Sequence, residues 1–163
     1  MMCLTASGAV CEFRKASWEG KTLVERLELL GWVVEVDSAE TASYYARHSQ
    51  CQCAYCRNFL ATMDQWPDAV REALMELGAD PQKEGEIMEM GQDPDGLHVY
   101  RLACPVRGCV ISGALRSWHT GNYEFWFSPD PHEAPVHVDF PPPIMFACLE
   151  ARLPWVLDQP KGT

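Results

Sequence analysis

Basic residues are scarce in this chain. Thirteen Lys and Arg stand against 23 Asp and Glu, for a formal charge of −10. Nucleic-acid binding draws on surplus cations to displace counterions from phosphates. No basic run offsets the deficit, so a nucleic-acid partner is not expected, and an anionic membrane surface is disfavoured for the same reason. Long apolar runs are missing too: nothing approaches the ~20 residues of a membrane-spanning helix. The opening Met1-Met2-Cys3-Leu4-Thr5-Ala6-Ser7-Gly8 has neither the basic region nor the apolar stretch of an export signal. A cytoplasmic location, with the eight cysteines reduced, is the expectation.

The familiar catalytic signatures are also lacking. There is no G-x-S-x-G, no Walker loop and no G-x-G-x-x-G. His48, His98, His119, His132 and His137 form no H-x3-H or H-E-x-x-H pair. The carboxylate pairs Asp93/Asp95 and Asp130/Glu133 lie in turn sequences and read as solvated loop charges rather than a calcium site. His119 falls in a turn-like Trp-His-Thr-Gly and is a weak catalytic candidate. No internal repeat and no long linker interrupts the chain.

What is present suits one domain: 163 residues, 47% of them apolar. Residues 1–20 show little periodicity and read as a loosely attached lead-in. The spacing of Leu23, Leu27 and Leu30, with Thr22 and Glu25 as a capping box and Gly31 as a C-cap, predicts a helix over 21–30. Trp32–Asp37 reads as a strand and Thr41–Arg47 as its hairpin partner, with a helix as the other possibility for 41–47. Tyr55, Phe59, Leu60, Met63 and Trp66 recur at helical spacing, predicting a helix over 54–65 that Pro67 breaks. Asp68–Leu77 is a second helix, closed by Gly78.

From there the texture is β. Strands are expected at 86–90, 97–104 and 109–115, the last two joined by a turn over Pro105–Gly108. Others are expected at 123–127, 136–140 and 144–153. Pro141-Pro142-Pro143 is a spacer. Helices early and strands late give an α+β fold with an antiparallel sheet. Alternation along 123–127 sends Tyr123, Phe125 and Phe127 to one face and Trp126 to the other, so one face is core. The other is either covered or an aromatic surface for a partner.

The distinctive stretch is His48–Phe59. It places Cys51, Cys53 and Cys56 on a C-x-C-x2-C spacing at the start of a helix. A loop carrying Cys51 and Cys53, with Cys56 in the first helical turn, can aim three sulfurs at one point. The helix N-terminus there favours thiolates. Zinc takes about four such ligands, so a zinc ion on Cys51, Cys53 and Cys56 is the leading expectation. His48 is the nearest fourth ligand, with Cys104 and Cys109, read as straddling a turn, as alternatives. Two other readings stand beside it. The cysteines can serve as small buried apolar residues. Alternatively Cys53-Ala54-Tyr55-Cys56, a C-x-x-C at a helix start, can be a redox or nucleophilic dithiol, which would make the protein an enzyme. Arg57 and Asn58 can brace the cysteine loop or lie exposed.

The run Cys51-x-Cys53-x-Tyr55-Cys56-Arg57-Asn58-Phe59 resembles a family of small bacterial proteins with a C-x-C-x-Y-C-x-N-[FY] core and no assigned activity. Leu77-Gly78-Ala79-Asp80-Pro81, Glu86–Met90 and Leu153–Leu157 are similar to that family as well, over roughly Trp32 to Leu157. The resemblance implies that residues 51–59 are the defining site; it implies no substrate. The function expected is a small binding or interaction module, with a protein or small molecule as partner.

Overall fold

The structure, a computed structural model, describes residues 23–113 and 116–161. The expected lead-in over 1–20 lies outside them. The described elements are strands β1 (Glu25–Leu29) and β2 (Trp32–Val36), then helices α1 (Ser38–Ala46) and α2 (Ala54–Ala61). A 3-10 turn, Met63–Gln65, leads to α3 (Asp68–Leu77). Five strands follow: β3 (Glu86–Gln92), β4 (His98–Ser112), β5 (Trp118–Thr120), β6 (Tyr123–Ser128) and β7 (Ile144–Leu153). The fold is α+β, with helices in the first half and an antiparallel sheet built mainly from the second. No helix among the described residues is long and apolar enough to cross a membrane.

The sheet runs β1-β2-β4-β7-β6-β5, and β3 also pairs with β4. Every described pairing is antiparallel. β4 is the spine. Along one edge it pairs with β7 from His98↔Leu153 to Arg107↔Ile144. Along the other it is shared: β3 covers the first part, ending at Glu86↔Ala103, and β2 the last part, beginning at Val36↔Gly108.

That sharing explains Pro105, where a turn was expected. β4 continues straight through, because Pro105 falls in the gap between β3 and β2. Its nitrogen faces the edge where no strand needs a donor. The carbonyl on the same edge accepts instead from the buried Tyr45 hydroxyl at 2.9 Å. Cys104 and Cys109 therefore lie along one extended strand and do not straddle a knuckle.

Three other expectations are corrected. Residues 25–29 form a strand, not a helix. Leu30 (φ 51°) and Gly31 (φ 89°) make a two-residue hairpin turn that pairs Leu29 with Trp32. Residues 41–47 are mostly helical: Asp37 caps α1 by accepting from the Glu40 N–H at 2.9 Å. The stretch 136–140 is a loop whose His137 N–H donates to the Tyr44 hydroxyl at 3.3 Å. Pro135 and Pro141 bracket it, leaving no room for a ladder.

One core cluster joins the helices to the sheet. Tyr44, Tyr45, Phe59, Trp66, Leu74 and Leu77 meet Val34, Val36, Tyr100, Leu102, Phe125 and Leu149. Opposite parity along β4 and β7 sends Ala103, Phe146 and Cys148 into a second cluster with Ala134, roofed by the 129–140 loop. Trp126 packs there under Arg101, whose guanidinium carbon lies 5.1 Å from its ring centre, so both faces of the aromatic strand are covered.

Candidate metal centre

The loop between α1 and α2 is fixed before any cysteine is considered. Gln50 is buried, and its amide nitrogen donates to the carbonyls of Pro81 (3.1 Å) and Gly85 (3.0 Å). Its amide oxygen accepts from the Cys51 N–H at 2.8 Å, and its main-chain carbonyl accepts from the Gln52 side chain at 3.0 Å. Arg57, one turn into α2, returns to donate to the Gln52 carbonyl at 3.0 Å. One buried glutamine and one arginine thus hold the loop from both ends.

On this frame the three sulfurs converge. Cys51, Cys53 and Cys56 bring their Sγ atoms within 4.8 Å of one another. Cys53 is the N-cap of α2, with extended backbone, and its sulfur accepts from the Cys56 N–H at 3.5 Å. The Cys51 sulfur accepts from the Cys53 N–H at 3.4 Å. Cys51 and Cys53 are exposed and Cys56 is buried. The cluster is therefore open on one side and anchored to the helix on the other.

The two cysteines of the C-x-x-C pair sit in opposite environments. Burial raises the Cys53 thiol, but the Cys56 N–H, the neighbouring thiols of Cys56 and Cys51 and the Tyr55 N–H outweigh it and leave the pKa below its ordinary value. Burial pushes the Cys56 thiol far up, and the nearby Cys53 and Cys51 sulfurs add to the rise. This is the pattern expected when several thiols compete for few protons around donors at a helix N-terminus.

The residues predicted as partners are placed as follows. His48 is outside the sulfur cluster and instead groups with Glu84 and His137. Cys104 is buried in the main core, its thiol pushed up to about 12 by desolvation. Cys109 is disulfide-bonded, which also corrects the expectation that every thiol is free. Cys148 is free and lies in the second cluster, on the opposite sheet face from Cys104.

Of the two residues after the motif, Arg57 braces the loop and Asn58 does something else. Asn58 is fully buried, donates to the Tyr100 hydroxyl (3.1 Å) and the Pro154 carbonyl (3.2 Å), and accepts from the Val156 N–H (2.7 Å). It pins α2 to β4 and to the segment after β7. His119 lies on β5, well exposed, hydrogen-bonded to Ser117 at 2.8 Å and 3.5 Å from a Glu124 carboxylate oxygen, and belongs to neither cluster of possible metal ligands found among the described residues. The grouping of His48, Glu84 and His137 was not foreseen, because its members lie 36 and 53 residues apart in sequence.

A shallow groove lined by Met63, Leu74, Met75 and Pro81 is mostly apolar and includes none of the cysteines. No family model, no curated protein and no solved structure matches this chain.

Proposed function

We propose that the chain is a small binding module whose cysteine loop is organised by one zinc ion on Cys51, Cys53 and Cys56. The observation that carries this reading is the convergence of three sulfurs within 4.8 Å at a helix N-terminus. Tetrahedral zinc with Zn–S bonds of about 2.3 Å needs sulfurs roughly 3.8 Å apart, a small contraction of such a cluster. Zinc would relieve what is otherwise an awkward grouping. Three thiols share few donors, and a divalent cation lets all three be thiolates, Cys56 included. A water or a donor from a bound partner completes the fourth position. The deficit of cationic residues favours a protein or small molecule as that partner over nucleic acid or an anionic membrane.

The test is metal analysis of protein purified without chelator. One zinc per chain is expected at this site, removable by chelator, with greatly weakened retention in Cys53→Ser. Zinc content unaffected by that substitution overturns the reading.

The opposite environments of Cys53 and Cys56 favour a second reading, a dithiol reductase. Cys53 thiolate attacks a substrate disulfide, forming a mixed disulfide and releasing one substrate thiolate. Cys56, once deprotonated, attacks the Cys53 sulfur and releases the second substrate thiolate, leaving a Cys53–Cys56 disulfide. Two electrons pass from the dithiol to the substrate. Cys56→Ser should then accumulate the mixed disulfide on Cys53, whereas a purely structural zinc site gives no such adduct.

A further inference from the structure

A second cluster of metal-ligating groups includes none of the cysteines. One atom each from His48, Glu84 and His137 falls within 4.8 Å of the others. The three come from separate parts of the chain: the residue pair after α1, the turn between α3 and β3, and the loop before β7. The two imidazoles stack at 4.0 Å between centres and only 17° between planes. Glu84 reaches His137 Nε2 at 3.3 Å. Asp139 lies 3.2 Å from His48 Nε2 and also accepts from Arg47 Nε at 3.3 Å.

The rings are held from behind by buried structure. Tyr44, fully buried, packs on His48 with centres 4.4 Å apart, and Phe140 packs on Tyr44 at 4.5 Å. The Tyr44 hydroxyl receives the His137 N–H. Glu84 sits in a turn closed by its own N–H to the Asp80 carbonyl at 3.1 Å and clamped by Gln50 through Pro81 and Gly85. The His48 and Glu84 side chains are 15% and 18% exposed while His137 is 55% exposed. Two ligands are therefore largely shielded from solvent and the third is exposed, so His137 is the ring that would turn out of the stack to bring its lone pair onto a shared ion.

We propose that His48, Glu84 and His137 form a second metal site, for a divalent first-row transition ion. Two imidazoles and one carboxylate are a donor set that suits zinc, iron(II) or cobalt(II) and leaves positions for water. Asp139 stays outside the ligand set: Arg47 holds it against the His48 ring, where it orients that ring. Bare, the cluster presses two imidazoles together beside two carboxylates. An ion would give both rings a common neutral-imidazole role and take up the Glu84 charge.

The test uses cobalt(II) alone, titrated into the full chain and followed by calorimetry and by its visible spectrum. The sulfur-deleted chain, Cys51→Ser/Cys53→Ser/Cys56→Ser, is expected to bind one cobalt(II) with no sulfur-to-metal charge-transfer band. Adding His137→Ala to that chain is expected to weaken binding by roughly 100-fold or more, and Asp139→Asn by about 10-fold. Should the triple serine chain not fold, His137→Ala and Glu84→Gln in the otherwise unchanged protein serve instead. These should remove the cobalt lacking the sulfur band and leave any cobalt that shows it. Binding that ignores both His137→Ala and Glu84→Gln, or a folded triple serine chain that takes up no cobalt, overturns the site. Failure of the sulfur site alone would show as a missing charge-transfer band with the histidine-dependent binding intact.

Discussion

The main-chain N–H of Cys56 points at the sulfur of Cys53, 3.5 Å away, so the first turn of α2 is closed by a thiol where a hydroxyl or carboxylate is more usual. That single contact ties the reactivity of one cysteine to the integrity of a helix. It also makes Cys53 and Cys56 unequal, although they are only three residues apart.

In metal-free protein, Cys53 should react with iodoacetamide ahead of Cys56, Cys104 and Cys148. Its thiol titrates below the ordinary value of about 8.5, while the other three are raised by burial. The rate at Cys53 should therefore level off at a lower pH than in the unfolded chain. The linkage runs the same way. A pKa lowered by folding adds stability above the unfolded value, and that increment fades as pH falls through the folded one. Mass mapping of the first labelled peptide across a pH series checks this; first labelling at Cys56 would contradict it.

Gly78→Ala should destabilise the fold by more than about 3 kcal/mol. Gly78 ends α3 in the left-handed region (φ 76°), and a Cβ there would lie 2.2 Å from the Ser38 carbonyl oxygen at the start of α1. The substitution thus strains a C-cap and separates two helices at once. Urea denaturation followed by circular dichroism gives the number.

These elements show what was legible beforehand. α3 was readable because its apolar stripe, Val70, Ala73, Leu74 and Leu77, is also its buried face, and Gly78 punctuates it as the pattern demands. β7 was readable to the residue, stopped by Pro154. The hairpin at 25–36 was misread because Leu23, Leu27 and Leu30 mimic helical spacing, and Gly31 serves a turn as readily as a C-cap. α1 carried its own signal, Asp37 with Glu40 three residues on, which outweighed the strand reading. Pro105 misled because proline tolerance in a strand depends on which neighbour is missing, and that is a property of the sheet. The cysteine cluster was local and could be seen. The histidine cluster depends on three segments meeting around Tyr44, and no local pattern marks such a meeting.

Asn58→Ala should cost about 2 kcal/mol, because it leaves the buried Tyr100 hydroxyl without its partner and removes the bonds to the part-buried main chain of Pro154 and Val156. The lesion should fall on the 154–157 segment first, visible as faster amide exchange at Val156. Sulfur reactivity should change little if α2 itself stays folded.

Alkaline titration should separate the tyrosines. Burial pushes Tyr44 and Tyr100 up to about 12 and Tyr45 well above its usual range. Tyrosinate absorbance between pH 10 and 12 should therefore lag behind that of the unfolded chain. A raised pKa means the stabilising contribution is complete below the unfolded value of about 10 and is lost as pH climbs through the folded one. The urea midpoint should accordingly fall over that interval, and Tyr45→Phe should blunt the fall.

The place of β7 between β4 and β6 bears on how the protein is made. On a ribosome, residues 25–128 emerge with their central neighbour still unsynthesised, so β4 has one bare edge and β6 has only β5 beside it. The sheet can close only after Leu153 clears the exit tunnel, so its central pairings are the last to form.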